Sequence, residues 1–263
     1  MTDIDIRSRY DFAVALVREA GEHAKDFLRD RAALEVKSKG PQDLASAADL
    51  STELLIRSRL GERFPEDGFL GEETGATDFA PGQGIWVVDP IDGTQPFVSG
   101  LPSWCVSIGF VQDGEILFGA VYAPALGELF AGGVGIPATL NGAPVERHPG
   151  QSIREGITGF GYSPRISADQ FLPMFSRFIE RGGMYFRDGS GALMLCNVAA
   201  GRLLGYVEAH INSWDCVAAL AIIRAAGLET NDFLANDGLR KGNWIVVGSP
   251  KVRAELEAVR TGS

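Results

Sequence analysis

The sequence predicts an α/β protein, and three observations lead there. Residues from about 8 to 30 place Phe12, Leu16, Ala20, Ala24 and Phe27/Leu28 on one helical face. The apolar runs Cys105–Val111 and Glu115–Tyr122 flank Gln112-Asp113-Gly114, and Asp-Gly between two such runs is a hairpin signal. Beyond residue 156 strand-like and helix-like segments alternate. At 263 residues, 45% hydrophobic and 22% charged, the chain can bury a substantial core. It reads as a single domain over 1–263, with an N-terminal half to about 150 and a C-terminal half from about 151 sharing one packed body.

After the first helix comes a polar break, Lys37–Asp43, and then a helix from about Ala48 to Arg63 that Phe64-Pro65 ends. Phe69-Leu70-Gly71 is a short strand running into Glu72-Glu73, and Ile85–Val88 is a short buried strand running into Asp89. The hairpin follows; a third strand near Glu128–Ala131 would complete a meander, and Leu140-Asn141-Gly142 is another turn. A strand near 156–160 precedes a helix over about 168–181, with Ser167 as N-cap and Gln170 as capping-box partner. The apolar face of that helix is Phe171, Met174/Phe175 and Phe178/Ile179. A helix at about 190–201, a strand at 204–208 and a helix from about Ser213 to Ala226, stopped by Gly227, come next. The strand Trp244–Val247 leads to a last helix that opens at Ser249-Pro250, a cap with proline in the first turn.

A net charge of −10 argues against nucleic acid as the main partner, because phosphate backbones demand basic surface. An acidic protein can still bind a phosphate ester where divalent cations invert the local field. Cys105, Cys196 and Cys216 sit in apolar contexts without a CxxC pair, which reads as buried reduced thiols in a cytoplasmic protein. No apolar run approaches membrane-spanning length, and the N-terminus lacks a signal-peptide pattern. His23, His148 and His210 are too scattered for a zinc site, and His210 reads as structural.

Four carboxylate stations carry the chemistry. Asp49 opens a helix, Glu72 and Glu73 follow a short apolar strand, Asp89 and Asp92 flank Pro90-Ile91, and Asp215 follows Trp214 at the start of an apolar helix. Each has a plainer reading: Asp49 and Asp215 as helix-terminal acids, Asp92 as an Asx-turn residue, one of Glu72 and Glu73 as loop surface. Glu72 is the better candidate of its pair. Asp89 is hardest to explain that way, since a carboxylate at the end of a buried strand is costly unless positive charge compensates it. Gly93-Thr94 would then free backbone N–H groups beside these acids, an anion site next to a metal site.

Gly71-Glu72-Glu73, Asp89-Pro90-Ile91-Asp92-Gly93-Thr94 and Trp214-Asp215 resemble the three signature motifs of the inositol monophosphatase family. Asp43-Leu-Ala-Ser-Ala-Ala-Asp49, the Gly-Ser-x-Ala-Leu stretch at 189–193 and Ala199-Ala-Gly-Arg-Leu203 also fit. The resemblance implies a layered α-β-α-β-α sandwich and Mg²⁺-dependent hydrolysis of a phosphate monoester, with two or three Mg²⁺ ions. It implies that Glu72, Asp89 and the carbonyl of Ile91 hold a first ion, and Asp89, Asp92 and Asp215 a second. Thr94, with Glu72 and Asp49 behind it, would activate the attacking water, and the N–H groups of Gly93, Thr94 and Gln95 would hold phosphate oxygens. Inhibition by lithium and a homodimer are implied in the same way.

Substrate contacts are implied for Glu208, Gly189, Ser190 and Arg187, with Asp92 and Asp215 shared. Plainer readings stand beside these: Glu208 as the acidic end of a strand, Ser190 as a helix cap, Arg187 as the partner of a structural acid. The substrate indicated first is myo-inositol 1-phosphate. The run from Asp92 to Trp104 is also similar to the histidinol-phosphate phosphatase branch, through Phe-Val-Ser-Gly-Leu-Pro-Ser-Trp. Sugar bisphosphates and a nucleotide 3′-phosphate are further alternatives, as is a catalytically silent binder of metal and metabolite. Pro96 stands where many members have Asn, and Gly191 where alanine is commoner.

Overall fold

The computed structural model describes residues 3–29, 36–40 and 43–263. In chain order the N-terminal half contains α1 (Asp3–Asp26), β1 (Val36–Gly40), β2 (Asp43–Ser46), α2 (Ala47–Arg63), β3 (Gly68–Gly71), β4 (Gly75–Ala76), β5 (Ile85–Asp92) and α3 (Thr94–Ser99). It continues with β6 (Cys105–Gln112), β7 (Glu115–Ala123), β8 (Glu128–Gly133), β9 (Ile136–Leu140) and β10 (Ala143–Pro144). The C-terminal half holds β11 (Ile157–Phe160), α4 (Ala168–Glu180), β12 (Met184–Phe186), α5 (Gly191–Ala199), β13 (Gly205–Ile211) and α6 (Val217–Ala225). It closes with β14 (Glu229–Thr230), α7 (Gly238–Lys241), β15 (Asn243–Gly248) and α8 (Pro250–Thr261).

These elements stack in five layers. An eight-stranded sheet, β10-β9-β8-β7-β6-β5-β3-β4, and a five-stranded sheet, β12-β11-β13-β15-β14, enclose α5 and α6 between them. α1 and α2 cover the outer face of the large sheet, where Ala13, Leu16 and Val17 meet Trp86, Phe110 and Phe118. α4 and α8 cover the outer face of the small sheet through Met174, Phe178, Leu256 and Val259. The central α6 is buried over all of Val217–Ile223, as a helix between two sheets must be. It comes close because Gly109 and Gly119 present bare backbone: a side chain at either would run into the backbone of Ala218. The layered α-β-α-β-α expectation therefore holds.

The structure also corrects local readings. The first helix starts at Asp3 and ends at Asp26, residues 27–29 form a tighter turn, and Asp30 lies outside the described residues. The polar break contains a hairpin, β1 against β2, because polar side chains do not prevent backbone pairing. The meander runs on through β9 and β10 rather than ending at its third strand. Ile179 is 46% exposed; the buried face of α4 is Met174 and Phe178, with Phe171 and Phe175 beside them. The helix placed at Ser213 begins at Val217, so Asp215 lies in the turn before it. The Asp113-Gly114 turn, with both residues at positive φ (53° and 77°), is as expected for a two-residue hairpin.

Candidate active site

β5 continues past its apolar start through Asp89, Pro90, Ile91 and Asp92, and its pairing with β6 is interrupted between Asp89 and Asp92. That irregularity turns both carboxylates to one place. There the turn before α6 adds Asp215, and oxygens of Asp89, Asp92 and Asp215 all lie within 4.8 Å of one another. Glu72, at the end of the parallel neighbour β3, lines the same cleft and interacts electrostatically with Asp89.

Backbone and side-chain donors fix each acid. Asp89 accepts the Ile91 N–H at 2.9 Å. Asp92 accepts the Ser190 hydroxyl at 2.5 Å and the Ala192 N–H at 2.7 Å, so it caps α5 from across the molecule instead of closing a local Asx turn. Asp215 accepts both the backbone and the side-chain N–H of Asn212, at 3.2 and 3.1 Å. Burial, then Glu72 and the other two acids, hold Asp89 well above the usual carboxylate range. Burial and Asp215 push Asp92 up to about 7. Burial also raises Asp215, against a hydrogen bond with Asp89. Such a group has the charge and the all-oxygen donor set for a hard divalent cation. Asp89, Asp92, Asp215 and Glu72 therefore fit Mg²⁺.

Beside them stands a hydroxyl held from below. The Thr94 Oγ1 is 3.0 Å from Asp49 Oδ1 and 3.2 Å from the Ile91 carbonyl. Asp49 is fully buried and accepts the Ser46 hydroxyl (2.5 Å) and N–H (2.8 Å) in a capping box. It is thus both the helix-terminal acid and the partner of Thr94, and burial raises it. Gly93, at φ 92°, swings the chain from β5 into α3; a side chain there would meet the Ser103 carbonyl at 2.8 Å. Gly93, Thr94 and Gln95 line the cleft at the first turn of α3, whose N–H groups have no acceptor within their own helix. Gly189, at φ 98°, packs against Pro96, so the proline departure and this glycine fit one another.

One reading of the substrate side changes. Ser190 is fully buried, bonded to Asp92, and its oxygen accepts the Leu193 N–H at 3.1 Å, so it orients Asp92 rather than facing the cleft. The N–H groups of Gly191 and Ala192 are likewise spent on Asp92, and that of Ser190 on Asp188. Glu208, Arg187 and Gly189 do line a cavity of about 150 Å³ adjoining Asp92 and Asp215, which adjoins the wider cleft of about 820 Å³ past Glu72 and Thr94. Glu208 is buried, accepts the Tyr206 hydroxyl at 2.6 Å, and is pushed by burial up to about 8. His210 bonds the Lys241 carbonyl at 3.0 Å through Nε2 and borders the cavity.

Glu53 and Arg165 were not singled out from the sequence. Glu53 is fully buried, and its carboxylate accepts the N–H groups of Glu73 (2.8 Å) and Thr74 (2.6 Å), pinning the loop that carries Glu72. Its spacing with Asp49, Ile56 and Leu60 puts it on the inward face of α2, a signal the sequence does contain. Arg165 borders both cavities from the loop after β11, a segment without periodicity to mark it.

The sequence pattern of the inositol monophosphatase family matches residues 5–259. The chain belongs to that family. Among relatives of this family member, the "Nus factor SuhB" of Vibrio cholerae is 32% identical over 254 residues, 95% of each chain. The "Inositol-1-monophosphatase" of Mesorhizobium japonicum is 34% identical over 230 residues, 86% of each chain. A solved structure of the Bartonella henselae extragenic suppressor protein suhB superposes with a TM-score of 0.87 at 30% identity, covering 94% of this chain and 96% of that one. Among the described residues of this family member, no helix is long and apolar enough to cross a membrane.

Proposed function

We propose that the protein hydrolyses the phosphate monoester of a small polyol with the help of Mg²⁺. The observation that carries this is the cluster of the buried Asp89 and Asp92 with the half-buried Asp215, beside the Thr94–Asp49 pair, with Asp215 and Thr94 lining one cleft. Glu72, Asp89, Asp92, Asp215 and the carbonyl of Ile91 would hold the cations. Bound cations supply charge neutralisation at the phosphoryl oxygens and the leaving oxygen. Thr94, donating to Asp49, turns its lone pairs outward, where they can take a hydrogen bond from the attacking water; Asp49 can accept the proton relayed through that hydroxyl. The N–H groups of Gly93, Thr94 and Gln95 orient the phosphate. Attack forms one P–O bond from water and breaks the P–O bond to the polyol, which leaves with a proton.

Within this class myo-inositol 1-phosphate is the substrate the family resemblance indicates, and histidinol phosphate the alternative. The presence of every acid together with Thr94 speaks against a silent binder. The exclusion of nucleic acid rests on net charge alone, and relatives named Nus factor SuhB give it no support. Three buried free cysteines are in keeping with a reducing, cytoplasmic setting. A homodimer is part of the same reading: the edge strand β12 exposes Met184, Tyr185 and Phe186 at 63, 54 and 40%. Sedimentation should give twice the chain mass; a monomer at micromolar concentration would remove that part.

The decisive assay is phosphate release from inositol 1-phosphate, histidinol phosphate, fructose 1,6-bisphosphate and adenosine 3′,5′-bisphosphate with Mg²⁺, with and without EDTA. Release abolished by the chelator is expected. Turnover that survives chelation, or none of any ester, sinks the reading.

A further inference from the structure

A carboxylate offers about four acceptor sites, two on each oxygen, and a site filled by the protein is withheld from a cation. Among the described residues the three clustered acids are filled unequally. On Asp92, Oδ2 accepts the Ser190 hydroxyl at 2.5 Å and the Ala192 N–H at 2.7 Å, and the Cys105 thiol stands behind it with Sγ at 3.8 Å. Its Oδ1 accepts the Gly191 N–H at 3.3 Å and keeps one site. On Asp215, Oδ2 accepts the backbone and side-chain N–H groups of Asn212 at 3.2 and 3.1 Å, so the open sites belong to Oδ1. On Asp89 the Ile91 N–H fills one site of Oδ1, and each oxygen keeps at least one. A hydrogen bond between Asp89 and Asp215 stays inside the cluster.

The groups that fill these sites are themselves held. Ser190 is fully buried, caps α5 by accepting the Leu193 N–H at 3.1 Å, and gives its own N–H to Asp188 at 3.0 Å. Gly191 and Ala192 belong to the first turn of α5, where N–H groups have no acceptor in their own helix and are free to serve Asp92. Cys105 pairs with Asp92 across β5 and β6, and its sulfur lies 3.5 Å from the Ser190 hydroxyl. The Cys216 thiol donates to the Asn212 carbonyl at 3.2 Å. Two buried thiols to which the proposed hydrolysis gives no task thus stand behind the two clamped acids.

Chelation of one ion by both oxygens of an acid is thereby closed at Asp92 and at Asp215. That matters for the choice of cation. Mg²⁺ takes six oxygens at about 2.0–2.1 Å with little tolerance, whereas Ca²⁺ takes six to eight at about 2.3–2.6 Å and readily accepts two-oxygen carboxylates. We propose that Ser190 and Asn212 are positioning residues that hold Asp92 and Asp215 as one-oxygen ligands, so that the cluster selects Mg²⁺ over Ca²⁺. The inference rests on the cations of the phosphatase reading and deepens it, assigning their selection to two residues that act through the acids.

The test strips the full chain with EDTA, dialyses it, and fits the dissociation constants of Mg²⁺ and Ca²⁺ from the rise in melting temperature with the concentration of each. The wild type should bind Mg²⁺ more tightly. Ser190→Ala reopens Oδ2 of Asp92 and should cut the ratio of the Ca²⁺ constant to the Mg²⁺ constant about tenfold, the scale on which groups that orient metal ligands act. Asn212→Ala keeps the backbone donor and should cut it less, and Ser190→Thr, which keeps the hydroxyl, should restore most of it. Ser167→Ala removes the cap of α4 and should lower the melting temperature with the ratio unmoved, which separates a lost cap from a lost clamp. Ca²⁺ bound as tightly as Mg²⁺ by the wild type, or a ratio that neither alanine at 190 nor alanine at 212 moves, overturns the inference. No rise with either cation removes it together with the cations of the phosphatase reading. Phosphate release in Mg²⁺ tells the two apart. Selectivity that depends on Ser190 without hydrolysis of any ester keeps the clamp and removes the phosphatase, and Mg²⁺-dependent hydrolysis with unselective binding does the reverse.

Discussion

The metal-side wall of the cleft and the substrate-side wall are built on opposite principles. Asp49, Asp89 and Asp92 are 0, 1 and 7% exposed, and hydrogen bonds from backbone N–H groups or hydroxyls hold each in place. Arg165 and Arg187, on the other side of the cleft, are exposed, and each interacts electrostatically with neighbouring acids, Arg165 with Asp215 and Arg187 with Glu208 and Asp188. The difference teaches where each wall's work is done. Phosphoryl transfer depends on positioned charge, which has to be arranged before substrate arrives. On the proposed phosphatase reading, recognition of the remainder of the substrate would fall to long side chains that settle on binding. The metal-side acids are costly for the same reason they are useful, since like charges are confined in a buried site.

The comparison breaks most visibly at Asp89. Asp89→Asn removes the most enclosed acid of the three-carboxylate cluster and should lower kcat/KM for any hydrolysed ester by about a thousandfold. The same variant should melt higher than the wild type in EDTA, because one of three crowded acids is gone. Near-normal turnover would show that the cluster is not where the reaction occurs. Thr94→Ala comes next: kcat should fall about a hundredfold with KM little changed, as expected for a group acting on the attacking water. A rise in KM alone would move Thr94 to substrate binding.

A smaller effect sharpens the idea that the metal side is set in place before binding. Glu53 does not reach the cleft; it holds the Glu72 loop through the N–H groups of Glu73 and Thr74. Glu53→Gln keeps the shape, but its amide presents an N–H where a lone pair was needed. The Mg²⁺ concentration for half-maximal activity should rise about tenfold, the usual scale for losing a group that orients a metal ligand. A drop in melting temperature with unchanged Mg²⁺ dependence would make Glu53 a purely structural residue.

The same contrast explains what could be read in advance. Asp89 stands out because an acid at the end of Ile85–Val88 violates the pattern around it, and such violations mark functional sites. The α/β class follows from helix and strand periodicities, and the five layers are what the family resemblance implies. Glu53 does not stand out in the sequence although its spacing with Ile56 and Leu60 turns it inward, because charged residues on helices are mostly solvated. The resemblance implies a substrate contact for Ser190, whereas its helix cap is legible locally and its bond to Asp92 joins residues 98 apart, which no local pattern encodes. Arg165 sits in an exposed loop, where a basic residue breaks no rule. The hairpin of β1 and β2 was hidden in the same way, since pairing there is made by backbone rather than by an apolar alternation.

The smallest expected effect concerns Glu208, a buried acid of the small cavity. Burial raises Glu208 to about 8, partly offset by the Tyr206 hydroxyl that donates to it at 2.6 Å. Its folded pKa lies above the unfolded value near 4.5, so the folded chain binds the proton more tightly. The stability this contributes is complete below the unfolded pKa and is lost as pH rises through about 8. In Mg²⁺, which covers the four metal-side acids, the wild type should therefore lose melting temperature between about pH 5 and pH 9, and Glu208→Gln should lose less. Glutamine can still accept from Tyr206 and has no charge to acquire, so it keeps the packing and removes the titration. Parallel slopes for the two proteins would mean that Glu208 opens to water when it ionises, and the substrate wall would then be as adaptable at its base as it is at its arginines.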